Sequence, residues 1–65
     1  MFRITWRTGA GRTALAKTYD ATTVRKLAND AVDANPEGNE LRVCQLVTCP
    51  IVGDHIWADV TADFV

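Results

Sequence analysis

Two cysteines and one histidine are the side chains of this sequence best suited to metal binding or nucleophilic catalysis. Cys44, Cys49 and His55 lie at the spacing Cys-x4-Cys-x5-His. Zinc prefers such ligands, and a cysteine beside a histidine can act as a nucleophile. In an extended strand, however, the two cysteines would lie about 16 Å apart and on opposite faces, beyond the reach of a disulfide. We therefore predict buried, small hydrophobic cysteines, no metal and no cofactor.

The segment from Gly9 to Ala14 matches the letters of the dinucleotide-binding pattern G-x-G-x-x-G/A. This pattern binds a pyrophosphate only where a strand leads through it into a helix. Here residues 13 to 19 alternate like a second strand, so we predict a hairpin turn at the glycines instead. The alanines between Arg12 and Tyr19 would also suit a helix, which leaves that alternative open.

Composition excludes several enzyme classes. The chain has no serine and one histidine, so no mechanism with a serine nucleophile is possible. No pair of carboxylates forms a recognisable site for general acid and base catalysis. We therefore predict that the chain is not an enzyme.

Residues 20 to 35 follow the period of a helix. An apolar stripe recurs with helical spacing, and its members are Val24, Leu27, Ala28, Ala31 and Val32. Asp20 or Thr22 can cap the amino end, and Asn35 before Pro36 should stop the helix. The sequence predicts a helix over residues 21–34.

Alternating patterns predict strands on both sides of this helix. The segment from Phe2 to Arg7 has one apolar face, whereas Leu41 to Val47 is apolar on both faces and indicates a central strand. Ile56 to Val65 alternates to the last residue and predicts a final strand. The order ββαββ predicts an α+β fold, in which one mostly antiparallel four-stranded sheet carries one helix on one face. Residues 1–65 are expected to form a single domain.

Charge is distributed unevenly along the chain. Residues 1 to 26 carry six basic side chains and one acidic side chain, whereas residues 27 to 65 carry one basic and seven acidic side chains. The two halves can neutralise each other through ion pairs within the fold. Alternatively, one half forms a charged patch that binds a partner of opposite charge.

The alternation of the final strand places Trp57 on the sheet face away from the helix. A large aromatic side chain there can pack under a loop or between arginine stems, anchor a protein partner or a second copy of the chain, or stack on a nucleic-acid base. We predict a non-catalytic binding protein that acts by protein–protein interaction. Its predicted partner-binding residues are Trp57, Arg3, Arg7, Asp59 and Asp63.

Nucleic-acid binding through the basic half of the chain is the alternative function. Arginines that alternate on a hairpin can contact phosphates while the hairpin lies in a groove. The candidate phosphate contacts are Arg3, Arg7, Arg12, Lys17, Arg25 and Lys26. A pI near 5.6 counts against this alternative unless the basic residues are strongly segregated on the surface.

The predicted final strand would leave an open edge if it lies outermost in the sheet. Pairing of two such edges would enlarge a core that is marginal at this chain length and would bury Trp57. Asp59 and Asp63 could equally discourage such pairing. The sequence therefore balances a homodimer against a monomer.

Several short motifs resemble those of small proteins from actinobacteria and their phages. They are Ile4-Thr5-Trp6-Arg7 and Gly11-Arg12-Thr13 in the hairpin, followed by Val24-Arg25-Lys26-Leu27-Ala28 in the helix. The outline is also similar to small phage-encoded inhibitors, anti-CRISPR proteins among them. That resemblance implies a phage protein that inhibits a host macromolecule in the host cytoplasm. The charged amino terminus and the short apolar runs likewise predict a cytoplasmic chain with no membrane partner.

Overall fold

The computed structural model describes all 65 residues and begins with a β-hairpin. Strand β1 (Phe2–Arg7) pairs antiparallel with β2 (Thr13–Thr18). The turn closes through the Thr8 N–H, which donates to the Arg12 carbonyl at 2.8 Å, and Gly11 adopts a φ of 82° that suits glycine. The predicted hairpin is confirmed, and the helical alternative for this segment is wrong.

Helix α1 (Ala21–Ala34) has the predicted bounds. Its N-cap is Asp20, whose Oδ1 accepts from the Thr22 N–H at 3.0 Å and whose Oδ2 accepts from the Thr23 hydroxyl at 2.9 Å. Those hydrogen bonds, the one from the Thr23 side chain first, hold the pKa of Asp20 below its ordinary value. The helix ends at Asn35, whose side-chain amide donates to the Arg7 carbonyl at 3.1 Å and so ties the helix end to β1.

A second hairpin completes the sheet. Strand β3 (Arg42–Thr48) pairs antiparallel with β1, and β4 (His55–Asp59) pairs antiparallel with β3. The order across the sheet is β2-β1-β3-β4. The α+β prediction is confirmed, and β3 is central as its two apolar faces indicated.

The final strand is shorter than the alternation predicts. Asp59 Oδ1 accepts from the backbone N–H of Thr61 at 2.9 Å and from its hydroxyl at 2.6 Å, which turns the chain out of the sheet. The Val43 N–H donates to the Thr61 hydroxyl oxygen at 2.9 Å, where a backbone carbonyl would continue the ladder. A short 3₁₀ helix (Thr61–Asp63) follows. The prediction of a strand from Ile56 to Val65 is therefore wrong after Asp59.

The buried core consists of six residues. They come from β1, α1, β3 and the segment after the 3₁₀ helix, and they are Ile4, Val24, Ala28, Ala31, Val43 and Phe64. Because the chain leaves the sheet after Asp59, Phe64 can pack edge-on against Phe2, with ring centroids 5.7 Å apart. A core this small makes the isolated domain marginal in stability. No helix of the chain has both the length and the apolar character needed to cross a membrane.

Candidate interaction surface

The strand register determines which side chains share the sheet face opposite α1, which we call the open face. Arg3 of β1 stands opposite Lys17 of β2 and Cys44 of β3, and Cys44 in turn stands opposite Asp59 of β4. Because side chains alternate along each strand, Arg7 and Trp57 belong to the same face.

The open face holds four of the five predicted partner-binding residues. Trp57, Arg3, Arg7 and Asp59 lie on it, whereas Asp63 belongs to the 3₁₀ helix and lies outside the sheet. The placement of Asp63 fails because it assumed that the final strand continues past Asp59. The remaining side chains of the open face are Thr5, Thr13, Leu15, Lys17, Arg42, Cys44, Leu46, Thr48 and His55.

Trp57 is covered by an arginine. The guanidinium carbon of Arg3 lies 4.4 Å from the centroid of the Trp57 ring, so its charge faces the aromatic π system. Leu46, directly opposite Trp57 on β3, adds an apolar neighbour on the same face. This packing leaves Trp57 half-buried, which is one of the three explanations that the sequence allowed for a tryptophan here.

Two ion pairs lie at one end of the open face. Arg42 NH1 is 2.9 Å from Asp59 Oδ2, and Arg7 Nε is 3.9 Å from Glu40 Oε2. Hydrogen bonds from Thr61, the hydroxyl first, together with Arg42 hold the pKa of Asp59 below its ordinary value. Both pairs are exposed and contribute little to stability.

Most basic side chains of the first 26 residues lack an acidic partner. Only Arg7 forms an ion pair with the acidic half of the chain. The others, which have no carboxylate within 4.0 Å, are Arg3, Arg12, Lys17, Arg25 and Lys26. Mutual neutralisation of the two halves therefore does not account for the charge asymmetry.

The six candidate phosphate contacts do not form one patch. Arg3, Arg7 and Lys17 lie on the open face, and Arg12 lies in the turn between β1 and β2. Arg25 and Lys26 belong to α1, on the other side of the sheet, where the Arg25 guanidinium carbon lies 5.4 Å from the Phe64 ring centroid.

Arg42 joins the basic residues of the open face, although it belongs to the acidic half of the sequence. It stands opposite Thr5 of β1 and so lies on the same face as Arg3. The signal that could have identified it is the central position predicted for β3, because a central strand brings its side chains next to those of β1.

A concavity of about 740 Å³ lies at the Arg7 end of the open face. Three threonines line it, together with the two arginines that pair with Glu40 and Asp59. Its lining residues are Thr5, Trp6, Arg7, Thr13, Glu40, Leu41, Arg42 and Thr61. The concavity therefore lies at one end of the basic open face.

The cysteines are free thiols and are not fully buried. Cys44 lies on the open face between Arg3 and Asp59, and Cys49 lies beside the β3–β4 turn. The prediction of buried cysteines is therefore wrong. Backbone hydrogen bonds, from Val52 first, hold the pKa of Cys49 below its ordinary value. The structure contains no group of three His, Cys, Asp or Glu side chains that could hold a metal ion.

These features define a small α+β domain whose helix covers one sheet face and whose other face is basic and carries a tryptophan. Comparison with protein-family models, with curated proteins and with solved structures found no match to this chain.

Proposed function

We propose that this chain is a small non-catalytic binding protein whose open face binds an acidic surface of a protein partner. The observation that carries the proposal is Arg3, which has no acidic partner and lies over the half-buried Trp57, together with the unpaired Lys17 opposite Arg3 on the same face. Arginine and tryptophan are enriched among the residues that dominate binding energy at protein interfaces. An acidic partner would complement the charge that the fold itself leaves unneutralised.

Apolar contacts on the same face support a protein partner. Leu15, in the middle of β2, keeps 58% of its surface exposed, and Leu46 lies next to Trp57. Interfaces combine an apolar centre with a polar rim. Trp57 and Leu46 would supply part of that centre, and Arg7 and Asp59 would lie in the rim.

The resemblance to small phage-encoded inhibitors supports a specific mode of action. We propose that the chain inhibits a host macromolecule in the host cytoplasm by occupying one of its surfaces. Inhibition of this kind needs a complementary surface and no active site. A face that presents arginines, a lysine and a tryptophan on a rigid sheet fits that requirement.

Two charge reversals on opposite sides of the molecule test the proposal. Lys17→Glu changes the open face, and the matched control Lys26→Glu changes the exposed surface of α1. The wild-type chain and the two variants are immobilised and exposed to a nuclease-treated host lysate. A protein bound by the wild type and by Lys26→Glu, with affinity at least about tenfold lower for Lys17→Glu, supports the proposal. Equal binding by all three chains contradicts it.

Nucleic-acid binding is a second candidate, favoured by the position of four basic residues. Arg3, Arg7 and Lys17 share the open face, and Arg12 lies in the adjoining turn. Titration with labelled DNA and RNA at low and at high salt tests it directly. Binding that weakens steeply with salt and is lost in Lys17→Glu supports this function. No binding at low salt contradicts it.

A further inference from the structure

We propose that two copies of this chain pair through the free edges of β4, joining two four-stranded sheets into one continuous antiparallel sheet. The proposal concerns the edge of the sheet and does not depend on the function proposed for its open face. It follows from the backbone groups that β4 leaves free, from the charges along that edge and from the small core.

The hydrogen bonds at the two ends of β4 show which backbone groups face β3. The Cys49 N–H donates to the Asp54 carbonyl at 2.7 Å, and the Val60 N–H donates to the Val43 carbonyl at 2.8 Å. Residues that bond to one neighbour alternate along an antiparallel strand with residues whose N–H and C=O point the other way. The free edge therefore presents the backbone groups of His55, Trp57 and Asp59.

A twofold axis through Trp57 uses all of these groups. In an isologous antiparallel pair centred there, Trp57 stands opposite the partner's Trp57, and His55 stands opposite the partner's Asp59. Each such pair exchanges both of its backbone hydrogen bonds. Ile56, which is 51% exposed in the single chain, then stands opposite the partner's Ala58.

The side chains favour this pairing over pairings centred on Asp59 or His55. His55 Nδ1 lies 3.2 Å from Thr48 Oγ1, and when that hydroxyl donates, Nε2 carries the proton that can reach a carboxylate. The Asp59 side chain is 49% exposed, and its Oδ2 accepts only from Arg42. An axis at Asp59 would place two carboxylates opposite each other, and an axis at His55 would shorten the overlap.

The opposite edge of the sheet is less suited to pairing. By the same alternation, β2 presents Thr13, Leu15 and Lys17 at its free edge. A lysine on an edge strand is a known device against edge-to-edge association, and β4 contains no lysine or arginine. A second copy on β4 would also add to a core of only six buried residues.

Sedimentation over a concentration series tests the pairing. We expect the wild-type chain to be a dimer at high micromolar concentration and to dissociate on dilution. His55→Glu places like charges opposite each other at both ends of the pair and should weaken the dimer at least about tenfold. His55→Gln keeps a neutral hydrogen-bond donor opposite the partner's Asp59 and should retain the dimer. A wild-type monomer at high micromolar concentration, or equal dimers in both variants, would overturn the proposal.

A pair of proline variants tests the same edge through the backbone. Trp57→Pro removes an N–H that points to the free edge, so it spares the ladder to β3 and should give a folded monomer. Leu15→Pro makes the matched change in β2 and should leave the dimer intact. Far-ultraviolet circular dichroism checks that both proline variants fold. If one of them is unfolded, the comparison of wild type with His55→Glu tests the proposal instead. A monomeric Leu15→Pro beside a dimeric Trp57→Pro would assign the interface to β2 and contradict the proposal.

Discussion

Helix α1 covers the β1–β2 part of the sheet better than it covers the β3–β4 hairpin. Helix α1 packs on β1 and β2, where Ile4, Val24 and Ala28 are fully buried. The far end of the β3–β4 hairpin extends beyond it, and there Ile51 and Val52 keep 89% and 67% of their surface exposed. The molecule is accordingly elongated, measuring 41 × 21 × 17 Å. A single helix of 14 residues cannot cover four strands. The buried contacts that stabilise the fold therefore lie under α1, whereas the turn of the β3–β4 hairpin leaves apolar surface exposed.

The largest expected effect compares equal truncations at the two ends. Ile4→Ala removes a fully buried side chain and should lower the free energy of unfolding by about 2–5 kcal/mol, enough to unfold much of the population. Ile51→Ala, at the exposed hairpin turn, should change it by less than about 0.5 kcal/mol. Urea denaturation measures both, with Ile4→Val as a milder variant. Similar losses at the two positions would mean that the hairpin end is as well packed as the core.

The next effect concerns the turn that takes the chain out of the sheet. Thr61→Val removes the hydroxyl that accepts from the Val43 N–H and should cost about 1–3 kcal/mol, because that N–H is left without a partner. Thr13→Val, a matched change at an exposed position of β2, should cost less than about 0.5 kcal/mol. Thermal unfolding followed by circular dichroism compares them. If Thr61→Val is as stable as wild type, the hydrogen bond from the Val43 N–H to the Thr61 hydroxyl does not stabilise the fold.

A smaller effect concerns acid stability at the start of α1. The pKa of Asp20 is lowered in the folded chain, so its contribution is complete above the unfolded value near 3.8 and is lost as pH falls through the lower folded pKa. Asp20→Asn keeps a capping side chain and should remove this pH dependence while retaining much of the stability at pH 7. Asp20→Ala should lose both the pH dependence and the stability that the cap contributes at pH 7. Unfolding measured from pH 7 to pH 2 distinguishes the variants, and an unchanged acid transition in Asp20→Asn would contradict the assignment.

The smallest expected effect is the contact of Arg3 with Trp57. Arg3→Leu removes the cation over the ring and should cost about 0.5–1 kcal/mol while exposing Trp57 to a different environment. The fluorescence emission should therefore change when the experiment is done in a Trp6→Phe background. Lys17→Leu, which stands next to Arg3 on β2, serves as the control and should leave the emission unchanged. Identical spectra for wild type and Arg3→Leu would show that the contact is not maintained in solution.

Elements whose causes are local could be predicted from the sequence. The bounds of α1 follow from the Asp20 cap, the apolar stripe and Asn35 before Pro36, all within one segment. Likewise, alternation alone was enough to place Trp57 on the face away from the helix, because a two-residue period needs no knowledge of neighbours. Arg3 and Arg7 were assigned to that face for the same reason.

The end of the final strand and the pairing of charges depend on contacts between distant segments and could not be predicted in this way. The alternation after Asp59 is as regular as before it, but Thr61 bonds to Val43 and Phe64 joins the core cluster with Ile4, Val24 and Val43. The lack of ion pairs between the two halves depends in the same way on the strand register. Periodicity reports the environment of each segment, whereas hydrogen bonds and ion pairs between distant segments depend on how the strands and helix are assembled.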